Sequence, residues 1–401
     1  MSTLKYWIWL AKLPGVGTRL KLALLEHFGG PENIYFGEKE EYFLVKGMGR
    51  TAAEALEDKD LTPADHILGD CDKLGLRVIT LLDAEYPARL RGILDPPLVL
   101  YAKGRVVRFD EEICIAMVGT RQASAYALET GEKLAYQMAR AGAVIISGLA
   151  SGCDAAAHRG ALRADGTTAA VIGGGHDIIF PRENDRLYED VAARGVILSE
   201  YPPGTDHLGR HFPARNRIIS GLSLGVVVVE APERSGALIT ASRAVEQGRD
   251  VFAVPGQLGD RRCAGSNLVL RDGAGIVTCA WDVLGHYAGQ FPNKVRSQRV
   301  EAPRHFGGSP ADKAPEKKRA EKPEPADEPV LDLEGDHGLT DDQVRILRLL
   351  KGRTMQVDDV VDESQIPTRR VLSALTLLEI DGYVAQESGK RFSLTVRLAD
   401  T

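Results

Sequence analysis

HFPARNRIISGLSLGVVVVEAPERSGALITA, residues 211–241, sets Phe212, Arg215 and Arg217 on one side of four consecutive valines and Arg234 on the other. A short β-branched run between two helical stretches reads as a strand buried on both faces, entered from one helix and left through a polar loop into the next. The same texture recurs as ICIAMVG (113–119), AVIISG (143–148), TAAVIGGG (168–175), VILSE (196–200), DVFAVPG (250–256) and GIVTCA (275–280). Strands that alternate with helices in this way predict a doubly wound parallel sheet, a Rossmann-like α/β domain over about 110–285. In such sheets ligands gather off the carboxyl ends of the strands.

The arginines stand in a chain of 401 residues with formal net charge −6, so they are not part of a general basicity. They cap a helix or they face an anion. The length allows two or three packed domains. Five cysteines, at 71, 114, 153, 263 and 279, are odd in number, far apart and without CxxC spacing, which predicts reduced thiols in a cytoplasm and no zinc. The longest apolar run, near Leu222–Val229, is far short of a bilayer span, and the N-terminus lacks a signal peptide's apolar core, so a cytoplasmic protein with no membrane contact is expected.

Outside the sheet domain three further segments separate. Residues 1–75 are helical, with two similar glycine turns, LPGVG from Leu13 and VKGMG from Val45, that resemble a pair of helix-hairpin-helix units in a helix-hairpin-helix/SAM-like domain. They either present amides to phosphate or are tight interhelical turns, and the balanced local charge favours the latter. Gly47, Gly49 and Ala52 also fit a dinucleotide fingerprint, but that needs a βαβ unit with an acidic residue about 20 residues on at a strand end, and the clear downstream strand, LRVITLL at 76–82, comes too late. A short extension from 76 leads into the sheet proper. Residues 286–336 form a linker, rich from 292 in Pro, Lys, Glu and Ala, that predicts a disordered tether. Residues 337–401 read as three helices and a hairpin turning at Gly389, a winged helix whose third helix runs from about Thr368 to Ile380. Arg369 and Arg370 at its start are candidates for DNA phosphates, yet Leu339–Thr401 holds nine basic and ten acidic residues, which suits packing or protein contact.

Four loops follow predicted strands: GTRQAS (119–124), SGLASGCDAAAH (147–158), GGGHDIIFPRENDRLY (173–188) and ERSGALITA (233–241). They share one rim, and helices opening from them offer free amides, while Arg121, Arg215, Arg217 and Arg234 add charge. No GxxxxGK[ST] or GxSxG is present, which argues against a P-loop triphosphatase and a nucleophile elbow. Ser147, Ser151, Asp154 and His158 resemble a nucleophile set, or simply cap a loop and helix. A nucleic-acid strand fits a rim where cations and an aromatic are spread over several loops. Phe212, behind Arg210 and His211, is either a stacking face or a plug beneath the helix at Pro213. The screening length is roughly 8 Å at physiological salt, so acidic surface elsewhere does not oppose this.

MVGTRQAS, VIISGLASGCDAAAHRGAL, VIGGG, FPRENDRLY, ILSEYPPGT, HFPARNRIISGLS, ERSGALITASRAVEQGRDVFAVPG and AGSNLVLRDGA together resemble the DNA-processing protein A (DprA or Smf) family through nearly all of 80–285. The resemblance implies a non-enzymatic protein of natural transformation with no cofactor. Such a protein binds and protects incoming single-stranded DNA, helps load a RecA-type recombinase, and forms a homodimer. It places Arg121, Gln122, Phe212, Arg215 and Arg217 at the single-strand site, to which the reading of the rim loops adds Ser147, Gly148, Asn216 and Arg234. Family members often carry a lysine shortly before the FPxRNR phenylalanine; here the sequence is HLGRHF, and Arg210 is the available substitute. The alternative, a nucleoside-monophosphate phosphoribohydrolase of the lysine-decarboxylase-like group, requires PGGxGTxxE where this chain has APERSGALITA, without the catalytic glutamate.

Overall fold

The computed structural model describes residues 3–105, 107–295, 330–331, 339–387 and 391–398. The chain divides into two compact units, Met1–Gly308 and Ser309–Thr401. The first begins with six helices, α1 (Leu4–Lys12), α2 (Thr18–Phe28), α3 (Pro31–Phe36), α4 (Lys39–Tyr42), α5 (Arg50–Leu56) and α6 (Thr62–Leu74). Both predicted glycine turns are present: Gly15 and Gly47 take φ of +72° and +90°, where a side chain would be strained, and Gly17 and Gly49 open α2 and α5. No strand adjoins them, so the fingerprint match at Gly47 is an interhelical turn. The segment 1–75 does not keep a core of its own. Trp7, Ile8 and Leu10 of α1 join one apolar cluster with Val99, Leu100 and Tyr101, and each fully buried aliphatic contributes about 1.5–3 kcal/mol.

The sheet begins earlier than the texture at 110 suggests. Strands β1 (Arg77–Thr80) and β2 (Val99–Gly104), with the short α7 (Ala88–Arg91) between them, precede β3 (Cys114–Val118), α8 (Ala125–Arg140), β4 (Val144–Ser147), α9 (Cys153–Arg163), β5 (Thr168–Ile172), α10 (Asp185–Arg194) and β6 (Val196–Ser199). Then come α11 (His211–Leu222), β7 (Gly225–Val228), α12 (Gly236–Glu246), β8 (Asp250–Ala253), α13 (Ala264–Arg271), β9 (Gly275–Ile276) and α14 (Trp281–Ala288). The order is β1-β2-β6-β5-β4-β3-β7-β8-β9. Strands β3 to β9 are mutually parallel as predicted, while β2 pairs antiparallel with β6 and with β1, making a mixed edge. The chain winds outward from β3 to β6 and returns to β7 beside β3, so the switch point lies between β3 and β7. Val226, Val227 and Val228 are wholly buried, as the opening run requires.

Packing also extends past the predicted end at 285. Helix α14 runs to Ala288, and the Lys294 ammonium pairs with Glu112 at 2.5 Å. Most of the predicted tether lies outside the described residues, as does Gly389. The second unit contains β10 (Val330–Leu331), α15 (Asp341–Leu349), β11 (Met355–Gln356), α16 (Val357–Ser364), α17 (Thr368–Ile380), β12 (Val384–Glu387), β13 (Arg391–Leu394) and β14 (Arg397–Leu398), the helices and hairpin of a winged helix. Arg370 is engaged by Asp342 at 2.7 Å. Among the described residues no helix is long and apolar enough to cross a membrane.

Candidate nucleic-acid interface

A cavity of about 540 Å³ opens at the switch point, lined by Gly119, Arg121 and Gln122 after β3, Phe212, Arg215 and Asn216 of α11, and Arg234, Ser235 and Gly236 before and at the start of α12. The loop after β3 is held from below by Glu230 at the end of β7. Its carboxylate accepts the Ser124 amide at 2.9 Å and the Ser124 hydroxyl at 2.5 Å, and its carbonyl accepts the Thr120 amide at 2.7 Å. Ser124 in turn caps α8 through the Ala127 amide, as Ser235 caps α12 through Ala237. These caps take up one amide at each helix, so fewer free donors face the rim than the loops alone suggest. The first turn of α12 still lines the cavity, and its partial positive charge favours an anion.

The arginines divide by role. Arg121 and Arg234 are exposed at the cavity, with Gln122 beside them. The Arg121 guanidinium lies 4.6 Å from the Phe212 ring centroid, a cation–π contact that covers part of the ring. Phe212 is half-buried, so it is neither a free platform nor a core plug. Arg215 is buried. Its Nη1 donates to the Gly148 carbonyl at 2.7 Å and to the Val171 carbonyl, and its Nε donates to Asn216 Oδ1 at 3.2 Å. Gly148 has no side chain because a Cβ there would meet that guanidinium at 2.3 Å. Burial pushes Arg215 down to about 10, with the Asp154 carboxylate opposing that shift and Arg121 adding to it. Asn216 donates to the Gly236 carbonyl at 3.2 Å and so ties α11 to α12.

Arg217 leaves the predicted group. It is 7% exposed, bidentate to Glu200 at 2.7 and 2.9 Å, and paired with Asp95 at 3.1 Å, so its charge is spent on carboxylates away from the cavity. Each helix residue turns the side chain by about 100°, so 215 and 217 point about 200° apart and cannot face one ligand together. Ser147 is also internal, its hydroxyl donating to the Met117 carbonyl at 2.5 Å. Arg210 is exposed at the start of α11 but does not line the cavity.

The Ser147, Ser151, Asp154 and His158 set does not assemble. His158 is fully buried, its Nδ1 donating to Thr168 Oγ1 at 2.7 Å, because that hydroxyl already donates to the Ile145 carbonyl. Ser151 donates to Glu183, and Asp154 accepts the Gly148 amide at 3.1 Å. Glu230 was not singled out in the sequence, because its partners Thr120 and Ser124 follow another strand; Asp154 accepts the Gly148 amide within its own loop, the capping role the sequence left open for it. Among the described residues no His, Cys, Asp and Glu cluster suits a metal, and all five cysteines are free thiols.

The fold and this cavity define a Rossmann-like protein with a cationic, aromatic-walled site at the switch of a doubly wound sheet. A family model for DNA recombination-mediator protein A matches residues 77–288, and one for the DprA winged helix domain matches 316–390. Protein Smf of Synechocystis sp. PCC 6803 is 34% identical over 396 residues, 96% of this chain and 98% of its own length. DNA processing protein DprA of Bacillus subtilis is 46% identical over 210 residues, 52% of this chain and 71% of its own. The X-ray structure of DprA from Streptococcus pneumoniae superposes with a TM-score of 0.63 at 37% identity, covering 71% of this chain and 98% of that one. The chain belongs to the DNA recombination-mediator protein A family, the DprA/Smf proteins.

Proposed function

We propose that the chain binds single-stranded DNA along this rim and acts by binding, without turnover. The observation that carries this reading is the juxtaposition of Arg121, Gln122 and Arg234 around Phe212 in one cavity, above a buried Arg215 whose partners are carbonyls and an amide. Arg215 makes no ion pair among the described residues, the nearby Asp154 carboxylate offsets part of its charge, and a phosphate in the cavity would lower the remaining cost of burying it. Arg121 and Arg234 contact phosphates, Gln122 and Asn216 add polar contacts, and Arg210 extends the track. Ser147, Gly148 and Arg215 shape the floor. Arg217 belongs to the scaffold in this reading.

Family membership supports a wider role: a cytoplasmic homodimer that protects incoming single strands during natural transformation and passes them to a RecA-type recombinase. The phosphoribohydrolase alternative has little to work with, since Glu230 and Asp154 are both buried and occupied by backbone amides. Incubation with nucleoside monophosphates is expected to release no ribose 5-phosphate. Titration of a fluorescent single strand and of a duplex of equal length tests the main reading, which expects tighter binding of the single strand, weakened by salt. Equal, salt-insensitive binding of both removes it.

A further inference from the structure

Beside the cavity three aromatic rings meet. Phe180, in the loop after β5, lies 5.6 Å from His207 and 6.0 Å from Phe212 between centroids, and His207 lies 6.4 Å from Phe212. Their planes are inclined by only 27–36° to one another. The cluster is fixed in place, because His207 Nε2 donates to the Ile178 carbonyl at 2.6 Å. Phe212 is half-buried with the Arg121 guanidinium over its ring, whereas Phe180 leaves 46% of its surface open, next to a cationic rim. A shallow hollow of about 60 Å³ lies against these rings, and it shares Arg121, Ala150 and Phe212 with the larger cavity. The two hollows therefore adjoin around Arg121. The smaller one cannot admit a base, so a base at this point lies across its mouth.

We propose that Phe180, backed by His207, is a second base-stacking platform, so that a bound strand sets one base against the Arg121–Phe212 pair and a neighbouring base on Phe180. Arg121 then stands between the two bases, where the connecting phosphate passes, and its planar guanidinium, backed by Phe212, offers a stacking face of its own. A separation of 6.0 Å between Phe180 and Phe212 suits nucleotides splayed beyond the roughly 3.4 Å rise of stacked bases. A duplex, whose base faces are covered, gains nothing from such a platform. The inference rests on the single-strand reading above and adds to it the number and place of the stacked bases.

The test uses the full chain and oligothymidine, with parallel titrations of a strand of the same length carrying abasic sugars throughout. Phe180→Ala is expected to weaken oligothymidine binding roughly 5- to 150-fold with the salt slope unchanged, and to leave abasic binding as in the parent. Phe180→Trp is expected to keep the affinity and to lose indole fluorescence on binding, against a background of Trp7, Trp9 and Trp281. If Phe180→Ala binds oligothymidine within twofold of the parent while Arg121→Ala does not, the platform is refuted and the single-strand reading stands. If Phe180→Ala weakens oligothymidine and the abasic strand alike, the ring is not a base platform. If the parent binds neither strand, both readings fall.

Discussion

At the scale of single residues, the arginines that open the question separate into two kinds. On the proposed reading Arg121→Ala removes an exposed phosphate contact, so single-strand affinity is expected to fall and the slope of log K against log salt to flatten by about 0.7 per lost phosphate contact. Arg217→Ala is expected to cost about 1.5–3 kcal/mol in urea unfolding through its lost charged hydrogen bonds, leaving that slope unchanged. A flattened slope in Arg217→Ala places its charge at the strand after all. The sequence singled out Arg121, Arg234 and Phe212 because loops that follow β-branched runs are readable from pattern and gather at one rim of a doubly wound sheet. It did not separate Arg215 from Arg217, since their partners at Gly148, Val171, Asp95 and Glu200 come from other crossovers. The helical period alone held the signal that the two face different ways.

At the scale of elements, the site is one loop braced by one strand end. The loop after β3 reaches the cavity because Glu230, just past the end of the adjacent β7, holds Thr120 and Ser124. Ser124→Ala loses the α8 cap and a bond to Glu230, an expected destabilisation of about 0.5–2 kcal/mol by thermal or urea unfolding, with weaker single-strand binding although no ligand contact is removed. Unchanged stability and affinity would show that the loop is held by other means. The parallel strands were legible as β-branched runs between helices. Strand β2 was not, because VLYAKG follows Pro96 and Pro97 after one intervening residue and alternates weakly; its place is set by pairing with β6, nearly a hundred residues later. The third helix of the winged unit, expected over about 368–380 and found as Thr368–Ile380, was legible because Pro367 and Gly382 bracket its apolar period.

At the scale of the whole molecule, two buried histidines couple the sheet to pH. Burial holds His158 down at about 3 and His176 at about 4, both from 6.5. His176 is satisfied as a neutral ring, its Nε2 donating to the Tyr101 carbonyl at 2.9 Å and its Nδ1 accepting the Tyr188 hydroxyl at 2.7 Å. The unfolded chain binds these protons first, so stability is complete above about 6.5 and is expected to fall as pH drops toward 4. Urea midpoints between pH 7.5 and 4.5 check this, and His176→Gln is expected to shallow the decline; a flat profile contradicts the burial argument.

The central claim is that a chain of net charge −6 grips a flexible polyanion through a local cationic rim at the β3–β7 switch. Its most direct test is the affinity of the parent and of Arg121→Ala for one single strand, measured across a salt series. A steep salt dependence is expected in the parent, a flatter one in the variant, and an unchanged fold in both. Identical slopes for the two proteins, or a parent whose affinity ignores salt, contradict it.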